Sequence, residues 1–97
     1  MFRHVVMFRF VPDVTEAQRR AMVDGLSALP AAIPQLRRYV LGPDAGVSEG
    51  NWDFAVVADF DSVEDWRIYA ADATHQAVIA ERIRPIIAER AAVQFSY

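Results

Sequence analysis

Cysteine and lysine are both missing from this chain of 97 residues, and histidine occurs only twice, at His4 and His75. Without cysteine there is no disulfide framework and no thiolate chemistry. His75 has no second His or Cys at ligand spacing, so a metal site is only weakly supported; Asp44 and Glu49 in one loop could hold a hard cation, although loop carboxylates are common. Gly42, Gly46 and Gly50 do not match a nucleotide-binding fingerprint. No Ser-His-Asp arrangement is legible. The expectation is therefore a protein without a cofactor. All ten basic residues are arginine, set against 13 acidic ones for a net charge of −3. Arg19-Arg20 and Arg37-Arg38 are isolated pairs and not a stripe, which argues against nucleic-acid binding. No run approaches the roughly 18 apolar residues of a membrane span, and the opening residues lack the pattern of a secretion signal. A cytoplasmic location with no membrane partner is expected.

A hydrophobic content of 54% with 24% charged residues fits a globular fold. Residues 1–97 read as one domain. A domain this small leaves much of its surface unburied, so association would help it.

Residues 2–11, rich in Val, Phe and Met, read as a strand stopped by Pro12-Asp13. Thr15 and Gln18 form a capping box, in which the Thr hydroxyl accepts a first-turn N–H and the Gln reaches back. The helix they open runs to residue 29, with Met22, Leu26, Leu29 and Ile33 as one buried stripe. Residues 36–41 read as a second strand, 42–50 as a turn-rich loop and 52–60 as a third strand. Ser62 caps a second helix whose inward stripe is Val63, Trp66, Tyr69 and Ala70. That helix breaks at residues 72–74 and resumes at His75, with His75, Ile79, Ile83 and Ile86 as the next stripe, until Pro85 interrupts it. Residues 91–97 read as a fourth strand. The order β-α-β-β-α-β makes a ferredoxin-like antiparallel α+β sheet the leading topology, with strands 1 and 3 at its centre and both helices on one face.

Strand alternation then leaves Val5, Met7, Ala55 and Val57 on the uncovered face. A contiguous apolar patch in a sheet centre marks a partner surface, and packing two such sheets face to face predicts a homodimer with two-fold symmetry. A single register, with residue numbers summing to 62, sets Arg3 opposite Asp59 and Arg9 opposite Asp53. It also sets Val5 against Val57, Phe8 against Phe54 and His4 against Ala58. Each opposite-charge pair contributes about 0.2–1 kcal/mol.

His4, His75 and Tyr69 are the chief candidates for chemistry, because imidazole exchanges protons near neutral pH. Each also has an ordinary reading. His4 could be a hydrogen-bonded core residue, His75 could complete a helix cap, and Tyr69 could be a packing aromatic. Phe8, Phe10, Phe54, Val56, Trp66 and Ile79 are candidates to line a cavity between sheet and helices. Arg82, Arg84 and Arg90, with Glu81 and Glu89, read as a solvated helix face.

The segments H-V-V-M-F-R-F-V-P, T-E-A-Q, W-D-F-A-V-V-A-D-F-D-S and Y-A-A-D-A-T-H-Q-A-V resemble the stress-responsive dimeric A/B barrel (Dabb) family over nearly the whole chain. The resemblance implies a ferredoxin-like fold that pairs sheets into a dimeric α+β barrel. In the family's polyketide-cyclase members, of the olivetolic acid cyclase type, a Tyr and a His six residues apart are the catalytic pair, and a His on strand 1 lines the same site. By motif position these fall on Tyr69, His75 and His4. The family's Pro two residues before the His is Ala73 here, and the cyclase's His at the start of strand 3 is Phe54, which makes the pocket more apolar. The implied activity is cofactor-free proton transfer on a β-keto or polyketide-like substrate. A non-catalytic stress or ligand-binding module, and a cofactor-free monooxygenase-like barrel, are the alternatives.

Overall fold

The computed structural model describes residues 1–97. β1 (Phe2–Phe10) lies between β3 (Phe54–Phe60) and β4 (Ile87–Ser96), and β2 (Arg38–Pro43) extends the sheet beyond β3, giving the order β2-β3-β1-β4. All three pairings are antiparallel. The fold is the ferredoxin-like α+β sheet expected from the element order.

The β1–β3 register runs from Phe2 opposite Phe60 to Phe8 opposite Phe54, so paired residue numbers sum to 62. Arg3 meets Asp59 with two parallel bonds of 2.7 and 2.8 Å. The second charge pair does not form. Ladder pairing ends at Phe8–Phe54, β1 shifts register against β4 between Arg9 and Phe10, and the Asp53 carboxylate accepts the Phe10 N–H at 2.9 Å. Arg9 turns to Glu89 at 3.8 Å and lies over the Trp52 ring at 4.3 Å.

The even residues of β1 from Phe2 to Phe8, and those of β3, are buried beneath the helices. There Phe2, Val6, Phe8, Phe54, Val56 and Phe60 pack with Met22, Leu26, Leu29 and Ile33 in one core. Thr15 and Gln18 make both bonds of the capping box at the start of α1 (Glu16–Ser27). A single turn, α2 (Leu29–Ala32), follows with Pro30 in its first positions, where a missing N–H costs nothing. Gly25 brings α1 close to the later helices. A Cβ there would stand 2.8 Å from Arg82 Cδ, and the same Arg82 donates to the Ala21 carbonyl at 2.8 Å.

Ser62 caps α3 (Val63–Ala71), and Asp72 separates it from α4 (Ala73–Val78), which begins two residues before His75. A π-helical turn (Ile79–Ile83) continues α4, closed by Arg84 N–H to Ile79 C=O at 2.9 Å. Pro85 then ends the run, having no N–H to give the preceding turn. β4 begins at Ile87, four residues earlier than residues 91–97 suggest. Val93 is paired with Val5 and Val40 with Val57, both on the face without helices, where Val5, Met7, Ala55 and Val57 are half-buried. Val40, Val93 and Phe95 are 50, 56 and 45% exposed, so the apolar stripe spans all four strands. No helix is long and apolar enough to cross a membrane.

Candidate active site

Six residues of unbroken helix span about 600°, which would leave Tyr69 and His75 roughly 120° apart around the axis. The break at Asp72 removes that separation. Asp72 has extended backbone (φ −62°, ψ 134°), and its carboxylate accepts from Thr74 N–H at 2.9 Å and His75 N–H at 3.1 Å. Tyr69 in the last turn of α3 and His75 in the first turn of α4 thereby stack, with ring centroids 4.0 Å apart and planes at 31°. Phe60 supports Tyr69 from the sheet at 5.2 Å.

His4 lies in a row across the sheet, Tyr39–Ala58–His4–Gln94, on the helix-facing side. Ala58 leaves room beside it. Gln94 Nε2 lies 2.9 Å from His4 Nδ1, and Trp66 packs over the ring at 5.7 Å. With the amide donating, His4 carries its proton on Nε2. Burial, together with the charge of Arg90 and of a protonated His75, lowers the His4 pKa from 6.5 to about 4. Burial also lowers His75, although the Ala70 and Tyr69 backbone and the Asp72 carboxylate oppose it. Both imidazoles are thus neutral at pH 7. His75 Nδ1 is buried with no hydrogen-bond partner. Burial raises the Tyr69 phenol, and it raises Tyr39 further, which keeps both hydroxyls protonated.

His4, Tyr69 and His75 all line one cavity of about 320 Å³ between sheet and helices. Phe8, Val56 and Ile79 are also in its wall. Phe10, Phe54 and Trp66 are not. Phe54 is a core residue packed against Phe10 at 6.2 Å, and Trp66 fills the space between Phe2 and His4. The wall is completed by Val6, Leu26, Gln76, Ile83, Ile87, Arg84 and Arg90. Ile79 and Ile83 share a face with His75 because the wider π turn offsets the drift of about 40° that each four-residue step accumulates in an α-helix.

The two arginines correct the solvated-helix reading of this region. Arg90 belongs to β4, opposite Phe8 and so on the helix-facing side, and Arg84 stands at the end of the π turn. Strand alternation traced back from Val93 toward Pro85 is the signal that would have placed Arg90 there. A wider depression of about 470 Å³, between Met7 and the loop after β2, holds Asp44 as its single ionisable group, and that carboxylate is engaged by Gly46 N–H and Asn51.

The one-sided helical cover and the sheet order define a ferredoxin-like α+β domain, with a mostly apolar cavity between its sheet and helices. The chain matches the stress responsive A/B barrel domain family over residues 2–97 and belongs to it. It is similar to a dimeric ferredoxin-like protein of unknown function from Thermobifida fusca, with 45% identity over 99% of this chain and 90% of that one (TM-score 0.91). A dimeric ferredoxin-like protein from Bacteroides fragilis is 25% identical over 99% and 95% of the two chains (TM-score 0.84). The hydroxynitrile lyase of Passiflora edulis shares the fold at 17% identity over 97% and 90% (TM-score 0.84). No curated protein matches the chain.

Proposed function

We propose that this protein is a homodimer whose protomers each bind a small molecule between sheet and helices and catalyse cofactor-free proton transfer on a β-keto substrate. The observation that carries the reading is the stacked Tyr69–His75 pair facing an apolar cavity that also holds His4. A neutral His75 imidazole keeps one ring nitrogen free of a proton, and that free nitrogen is the base. That nitrogen removes the acidic α-proton. The Tyr69 hydroxyl, held protonated by burial, donates to the developing enolate oxygen. His4 orients the substrate, its own ring held by Gln94. The pocket lies at the small end of the usual range for ligand sites, and its wall is mostly apolar with a few convergent polar groups.

Dimerisation is part of this reading. Val5, Met7, Ala55 and Val57 continue into exposed Val40, Val93 and Phe95, and the relatives from Thermobifida fusca and Bacteroides fragilis are dimeric. Two copies of such a stripe packed face to face withdraw it from water.

The test is the exchange of the α-protons of acetylacetone in D2O, followed by proton NMR. His75→Ala lowers the protein-catalysed rate on the order of 10²-fold, and Tyr69→Phe lowers it as well while both variants keep the native circular dichroism. Equal rates in wild type and His75→Ala would leave a non-catalytic binding module.

A further inference from the structure

The cavity of this acidic protein contains no carboxylate. None of the 13 Asp and Glu residues is in its wall, whereas Arg84 and Arg90 both are. Most of the other arginines are engaged. Arg3 pairs with Asp59, Arg9 with Glu89, Arg19 and Arg20 with Glu16, and Arg37 with Asp61, while Arg82 donates to the Ala21 carbonyl. Arg84 and Arg90 make neither an ion pair nor a side-chain hydrogen bond. They enter the cavity from two elements, the end of the π turn and the middle of β4, and both are exposed, so they stand where the cavity opens to solvent. With His4 and His75 neutral, the guanidinium groups are the only charges in the wall.

We infer that Arg84 and Arg90 form an anion-binding subsite at the cavity mouth, and that the ligand is a small carboxylic acid. Its carboxylate is held by the two guanidinium groups, and its apolar body lies along Leu26, Ile79, Ile83 and Ile87. The inference rests on the proposed function for the location of the pocket and adds the charge of the substrate to it. Guanidinium presents paired N–H donors that match a carboxylate edge-on, and charge-assisted bonds of this type are about twice as strong as neutral ones. An exposed cationic mouth above an apolar wall also draws an anion in and sets its polarity, head outward and tail inward. A β-keto acid bound in this way directs the carbon next to its carboxylate inward, toward the stacked Tyr69–His75 pair.

The experiment is calorimetric titration of the whole protein at about pH 8 with octanoate, with octanamide as the neutral counterpart and with inorganic phosphate as an anion lacking a tail. Octanoate is expected to bind about tenfold or more tightly than octanamide, with phosphate weaker than octanoate. In Arg84→Gln/Arg90→Gln the preference falls to within about twofold while octanamide binding is unchanged, and high salt shrinks the preference in wild type. Both positions are exposed, and retained octanamide binding reports that the pocket is intact. Equal affinity for acid and amide, a preference that survives the double substitution, or phosphate binding as tightly as octanoate would each overturn the inference. Since no turnover enters this readout, His75→Ala keeps the acid preference. A protein that selects octanoate but exchanges no α-proton contradicts the proposed function and leaves the subsite standing.

Discussion

His4 should make this protein acid-labile in a pH window set by its burial. In the unfolded chain its imidazole takes a proton near 6.5, and in the folded chain only near about 4. Between those values the unfolded state binds more protons, so stability falls as pH is lowered through the window and is fully present above it. The gap between 6.5 and about 4 corresponds to about 3 kcal/mol as a ceiling. His4 is only 7% exposed, but it borders a cavity that opens to solvent, and screening there brings the expected loss to about 1–3 kcal/mol. The groups facing His4 are Arg90, His75, Trp66 and Gln94. Arg90 and His75 keep its charged form unfavourable, whereas Trp66 and Gln94 do not titrate.

The assay is urea unfolding from about pH 7 to about pH 4 at fixed protomer concentration, comparing wild type with His4→Phe. Asp59 and Asp61, both held below the usual carboxylate range by arginine partners, lose their contribution at the acid end in both proteins and cancel in the difference. The wild type should lose the stated amount relative to His4→Phe. Parallel stability curves across the window, or an NMR titration of the His4 ring near 6.5, would refute the reasoning.

Val57→Asp places a desolvated charge in the proposed sheet-to-sheet interface, twice per symmetric dimer. Sedimentation velocity at micromolar concentration should show dimer for wild type and a dissociation constant raised on the order of 10²-fold or more for the variant. Asp72→Ala removes two cap bonds and should cost about 1 kcal/mol. The same substitution frees His75 from its pose, so α-proton exchange should fall about tenfold, and Asp72→Asn, which can still accept both N–H groups, should restore it.

Much of the sheet was legible because strand periodicity is strict. A one-residue slip would reverse both faces, and Arg3 with Asp59 was enough to fix the β1–β3 register. Arg9 with Asp53 belonged to the same pattern but failed, because a backbone N–H beyond the end of the ladder claimed the carboxylate. The Tyr69–His75 relation was visible as a break in a helical stripe, and the cap at Asp72 explains why six residues bring the rings together. Arg84 was not legible, since a charged residue just before Pro85 reads as the last turn of a solvated helix face. Arg90 was legible only by carrying the alternation of β4 back from Val93, because charged residues past Pro85 look alike in a frayed helix and in an edge strand. The aromatic lining was overestimated, since Phe10, Phe54 and Trp66 fit the same apolar periodicity as Phe8 and Val56, and only packing distinguishes filling a core from facing a void.

The pH dependence of α-proton exchange, set beside the titration of the His75 ring in the same protein, tests the central claim most directly. The account predicts an acid limb whose midpoint coincides with the His75 pKa, below 6.5, and disappears with His75→Ala. A rate with no acid limb, or one whose limb persists without His75, would contradict it.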